Sequence, residues 1–67
     1  MYVIVNQDDT TQFWCAASKS FQPMVSGLYT EYSLHRNATR TLNTLRQSFG
    51  FRAEIVDKMK ALNEAWR

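Results

Sequence analysis

Four groups of side chains in this sequence are of types that could do chemistry. Cys15 and His35 are each the only residue of their kind. An imidazole beside a thiol makes a nucleophile, provided the two lie within hydrogen-bond reach and a third group orients the base. Here Cys15 falls in a strand-like run and His35 in the first turn of a predicted helix, with no orienting partner at a suitable spacing. They read as a core thiol, because free Cys is commonly buried, and a helix-surface imidazole. One Cys and one His also fall short of the ligand set of a structural zinc site. Asp8 and Asp9 are adjacent carboxylates. Paired carboxylates do acid–base work when a cleft drives their pKa values apart, whereas neighbours in a polar turn are solvated. The only glycines are Gly27 and Gly50, so there is no glycine-rich phosphate loop. Asn37-Ala38-Thr39 matches the glycosylation pattern, but it falls inside the predicted helix. The expectation is a chain with no catalytic residue, no metal and no cofactor.

The third group is cationic. No Asp or Glu occurs between Tyr32 and Ala53, whereas Arg36, Arg40, Arg46 and Arg52 all do. At 100° per residue Arg36, Arg40, Asn43 and Gln47 share one polar helix face, flanked by Arg46 and His35. Such a face suits phosphates in a nucleic-acid groove, acidic protein groups through bidentate contacts, or plain solvent. The nucleic-acid alternative would use Arg36, Arg40, Arg46 and Arg52. Helix-turn-helix spacing is absent, and a net charge of +2 is low for an independent DNA binder. The fourth group is aromatic. Trp14, Tyr2, Tyr29, Tyr32, Phe21 and Trp66 exceed what one small core needs, and Trp and Tyr are enriched at interface hot spots. A protein partner is therefore expected to meet Arg36, Arg40, Trp14 and Tyr32. A homodimer that buries a hairpin face is a further alternative.

The elements that must position these groups follow from periodicity. Ser33 to Gly50 reads as one amphipathic helix, 34–49, with Leu34, Ala38, Leu42, Leu45 and Phe49 inside an arc of about 80°. Ser33 is the expected N-cap and Gly50 the left-handed C-cap. YVIVN at 2–6 and TQFWCAA at 11–17 are strand-like, with the polar turn Gln7 to Thr10 between them, which predicts an N-terminal hairpin. Both strands carry apolar residues on both faces, so either the chain covers both or one face meets a partner. Residues 18–27 read as a connector and Leu28 to Tyr32 as a short third strand. After Gly50 two readings stand. Arg52 to Val56 could be a strand, with Asp57 capping a short helix, Lys58 to Trp66. Alternatively one helix runs from about Phe51 to Trp66, with Ile55, Met59, Leu62 and Trp66 at helical spacing and Glu54 paired to Lys58.

Sixty-seven residues make one small domain, which buries only about 60% of its unfolded surface. At 45% hydrophobic and 21% charged, the chain is globular in composition. A single Cys gives no internal disulfide. No charged leader precedes an apolar run and no stretch could span a bilayer, so a cytoplasmic location without membrane contact is expected.

The order YVIVN, turn, Phe13-Trp14, loop, LYTEYS, NATRTLNTLRQSFG and AEIV resembles a class of short phage and prophage proteins, mostly of unknown function. The likeness covers roughly residues 2–56. It implies a strand at AEIV, and the tail DKMKALNEAWR departs from it by adding a helix. The strand–strand–(strand)–helix–strand–helix order is also similar in architecture to some small phage anti-CRISPR proteins. Together these imply an α+β fold: a small antiparallel sheet led by the hairpin, the main helix packed on it and a short C-terminal helix, with a hairpin plus two helices as the alternative. They further imply a non-catalytic accessory protein that binds and inhibits a host protein complex in the host cytoplasm.

Overall fold

The computed structural model describes residues 1–66. Four strands form one antiparallel sheet: β1 (Tyr2–Asn6), β2 (Gln12–Cys15), β3 (Ser20–Pro23) and β4 (Ala53–Asp57), in the order β3-β2-β1-β4. The helices are α1 (His35–Thr44), continued by a π-helical turn at Leu45–Phe49, and α2 (Lys58–Ala65). The expected α+β fold with its leading hairpin is present.

β1 is central, and its alternation explains the two-sided apolar pattern. Val3 and Val5 face one way and join Phe13, Met24 and Ala61, with Leu62 and Ala65 of α2 packed against them. Ile4 faces the other way and joins Trp14, Leu42, Leu45 and Ala53 beneath α1. The chain thus covers both sheet faces itself, one with α1 and the other with α2 and the loop after β3.

The segment after Gly50 takes the strand–cap–helix course. The β-branched Ile55 and Val56 stand opposite Ile4 and Val3 of β1, a pairing that a continuous helix would forfeit. Asp57 then caps α2, its carboxylate accepting from the Met59 amide at 3.1 Å. The alternative of one helix from Phe51 is therefore overturned. Gly50 is left-handed as expected, at φ 68°, with its N–H donating to the Leu45 carbonyl.

Three local expectations are corrected. The third strand is Ser20–Pro23, inside the expected connector, where it pairs with β2. Leu28 to Tyr32 forms a single bridge: Tyr2 and Tyr32 exchange backbone hydrogen bonds of 2.7 and 2.8 Å. The Thr30 amide donates to the Trp14 carbonyl at 2.9 Å, so this segment ties β2 to β1 at the end away from the hairpin turn. The N-cap of α1 is Leu34, with extended backbone and no side-chain cap bond, so the Ser33 hydroxyl does not serve the first turn. β2 ends at Cys15, because Ala16 to Lys19 turn the chain into β3, with Lys19 left-handed at φ 52°.

Candidate partner-binding surface

The groups that suggested catalysis are kept apart. Cys15 alternates with Trp14, so it belongs to the Phe13 face of the sheet. His35 begins α1 on the opposite face, where its ring meets Tyr2 edge-on at 5.1 Å. The sheet separates thiol from imidazole. Asp8 and Asp9 lie in the exposed hairpin turn. The Asp8 carboxylate pairs with Arg52 at 3.3 Å. The Asp9 carboxylate accepts from the Thr11 hydroxyl at 2.6 Å and the Thr11 amide at 3.1 Å, and these bonds hold its pKa below the ordinary value. No cluster of three or more His, Cys, Asp or Glu could hold a metal among the described residues.

Cys15 borders an open hollow of about 330 Å³ with Ala17, Ser18, Gln22 and Leu28. The Ser18 hydroxyl, followed by the Ser18 backbone N–H, holds the thiol below its ordinary pKa, with burial opposing. The carboxamide of Gln22 and the hydroxyls of Ser18 and Ser20 bond one another beside it. Alkylation of the folded protein by iodoacetamide should therefore reach half its limiting rate at a lower pH than for an ordinary thiol. In Ser18→Ala, or in urea, that midpoint should move up. A depressed folded pKa also means stability rises with pH between the folded and unfolded thiol values, and that gain is lost as pH falls through the folded one. A midpoint that is the same with and without urea would contradict the Ser18 contact.

The four arginines have different surroundings. Arg46 donates from Nη2 to the Ala53 carbonyl at 2.9 Å, tying the end of α1 to β4. Arg52 is paired with Asp8. Arg36 and Arg40 are exposed on α1 and make no ion pair among the described residues. Of the expected aromatic contacts, Trp14 is only 4% exposed and sits in the α1-side core. Tyr32 is half-buried against that same core. Arg36 and Arg40 are thus at the surface, whereas Trp14 is not.

The exposed aromatics are instead Trp66, 71% exposed at the end of α2, and the pair Phe49 and Phe51. Phe49 ends the π turn and is 54% exposed; Phe51 is 37% exposed. Their rings stack at 5.6 Å with an interplanar angle of 11°. Phe51 in turn meets Phe21 edge-on at 5.4 Å and Trp14 at 6.1 Å. Gly50 makes this possible. Its left-handed backbone reverses the chain after the π turn, and the Phe51 amide follows it back to the Leu45 carbonyl at 3.1 Å. Two rings separated by one residue are thereby brought face to face, and an aromatic column runs from the core out to solvent.

Phe49 was placed on the buried helix arc by its spacing, and that expectation fails because the π turn alters the residue angle at the end of the helix. The signal that would have found the corner is the triplet Phe49-Gly50-Phe51 itself: a C-cap glycine with an aromatic on each side. No family model, characterised protein or solved structure matches this chain.

Proposed function

We propose that this is a non-catalytic accessory protein that binds another protein and acts by occupying it. The observation that supports the reading is the stacked, exposed Phe49–Phe51 pair on a domain whose own helices already cover both sheet faces. A domain of this size has little apolar burial to spare. Phe51 leans on Phe21 and Trp14, whereas Phe49, stacked on Phe51 and 54% exposed, is held mostly in water, and pre-ordered rings of this kind suit a partner pocket. The resemblance to short phage and prophage proteins makes the partner a host protein complex and the action inhibition, in an anti-CRISPR-like or other anti-defence role within the host cytoplasm. The nucleic-acid alternative is less well supported, because two of its four arginines are engaged within the chain. A homodimer through a hairpin face is also less well supported, because α1 and α2 take up the faces of β1.

The test compares retention of host proteins by the tagged wild type and by the Phe49→Ser/Phe51→Ser variant at equal loading. Hot-spot truncation costs about 2 kcal/mol or more per residue. The pair should therefore weaken binding by about 100-fold or more, and the specific partner should disappear from the variant. A far-UV spectrum and cooperative melt like those of the wild type keep the comparison valid. Equal retention by the two proteins, or no specific partner for the wild type, would sink the reading.

A further inference from the structure

The outer face of α1 is a second surface. Arg36 and Arg40 stand one turn apart on it, both exposed, with exposed Asn43 further along. The turn between them rises about 6 Å. Neither α1 nor its π turn carries a carboxylate, and neither arginine makes an ion pair among the described residues. The other partnered cations show the contrast: Arg46 has the Ala53 carbonyl, Arg52 has Asp8 and Lys58 has Glu31. Arg36 also lies in the first turn of α1, where the free amides already carry positive partial charge and a cation is disfavoured. That turn holds no acidic residue, and no side chain caps it. The fold leaves an exposed positive stripe that no carboxylate among the described residues pairs.

We propose that this stripe docks on an acidic protein surface, with Arg36 and Arg40 each holding one carboxylate of a pair spaced by about one helical turn, roughly 6 Å. The inference rests on the protein-partner reading above and gives the opposing surface its chemistry. Magnitudes favour this occupant over nucleic acid. Two phosphate contacts on a single strand give a salt slope of about −1.4, a loss of only roughly sevenfold between 50 and 200 mM salt. Proteins held by counterion release make about 6–10 such contacts and lose about 10³–10⁵ over the same range. Two arginines are too few to grip a polyanion, yet two bidentate forks suffice to set the register against two carboxylates.

The full ¹⁵N-labelled chain, followed by NMR at about 0.1 M salt, provides the test. The probes are an alanine-based helical peptide of about 20 residues with two Glu four positions apart, the same peptide with both Glu replaced by Gln, and oligo-dT of equal length. The Glu peptide should shift the Arg36 and Arg40 Nε–H signals saturably, and the Gln peptide should bind at least about tenfold more weakly. Arg36→Glu/Arg40→Glu should abolish the response, while Phe49→Ser/Phe51→Ser should leave it intact. An equal response to the Gln peptide, tighter binding of oligo-dT, or no shift at either arginine would overturn the proposal. Failure here, with capture still lost in the phenylalanine variant, would remove only the acidic-surface assignment. Capture unaffected by the phenylalanine changes would remove the aromatic corner instead.

Discussion

Trp14→Ala is expected to remove a large share of the fold's stability and not merely to weaken a contact. The indole is 4% exposed, lies with Ile4, Leu42, Leu45 and Ala53 beneath α1, and meets Phe21 edge-on at 5.4 Å. Truncating a buried Trp to Ala costs about 3–5 kcal/mol, because the transfer energy of the ring and the cavity left behind add together. A domain of this length has a total stability of about 3–10 kcal/mol at the usual 0.05–0.15 kcal/mol per residue. The substitution therefore removes between a third and all of it. Urea titration followed by far-UV circular dichroism should show a midpoint shifted far toward zero denaturant. Trp14→Phe, which keeps an aromatic ring against Phe21, should recover much of the loss. Trp66 is the internal control: it is 71% exposed, and Trp66→Ala should change stability by less than about 0.5 kcal/mol. Equal effects at the two tryptophans would mean that Trp14 is not the core residue described here.

The contrast between these two tryptophans shows what the sequence could convey. Helix 34–49 was legible because Ala38, Leu42 and Leu45 recur at one angle, and those three are the residues α1 buries. The hairpin was legible from two β-branched and aromatic runs about a polar turn. The Asp57 cap was legible from one residue type at the right place. What could not be read is which aromatic faces in. Trp14 is expected at an interface because the aromatics exceed what one small core needs, yet Leu42, Leu45, Phe21 and Phe51 close over it, and a local pattern carries no record of a helix some thirty residues away. The third strand was misplaced for a similar reason. Ser20 to Pro23 has little strand propensity of its own and is held by β2, opposite Trp14 and Phe13. Arg46 and Arg52 were grouped with Arg36 and Arg40 by charge alone. Only the return of β4 gives Arg46 its carbonyl, and only the course of the chain after Gly50 brings Arg52 to Asp8. The candidate site was therefore half legible: the two helix arginines came from spacing, while the phenylalanine corner needed the left-handed turn.

Ending the chain at Asp57 is expected to abolish cooperative folding, although all four strands and α1 would remain. α2 contributes Ala61, buried at 2% exposure, to the cluster of Val3, Val5, Phe13 and Met24, with Leu62 and Ala65 alongside. Its first residue also anchors the sheet edge: the Lys58 amide donates to the Met1 carbonyl at 2.9 Å, and its ammonium pairs with Glu31, which raises the Lys58 pKa. Without α2, Val3 and Val5 would lose Ala61 and Leu62, only Met24 and Tyr29 of the loop after β3 would remain over that side, and the Asp57 carboxylate would lose the Met59 amide it caps. A chain this small has no other apolar surface with which to offset that exposure. The shortened protein should bind a hydrophobic dye, lose its sharp thermal transition, or self-associate through the bared face, as measured by dye fluorescence, calorimetry and sedimentation. Ala61→Asp in the full-length chain should shift it the same way, because a carboxylate has no partner at that buried position. A shortened chain that melts as cooperatively as the full one would place the cover of that face elsewhere. The contacts of Ala61 show what the tail contributes to the fold. A strand that is apolar on both sides needs two covers: α1 supplies one, and the eight residues of α2 together with Met24 and Tyr29 supply the other.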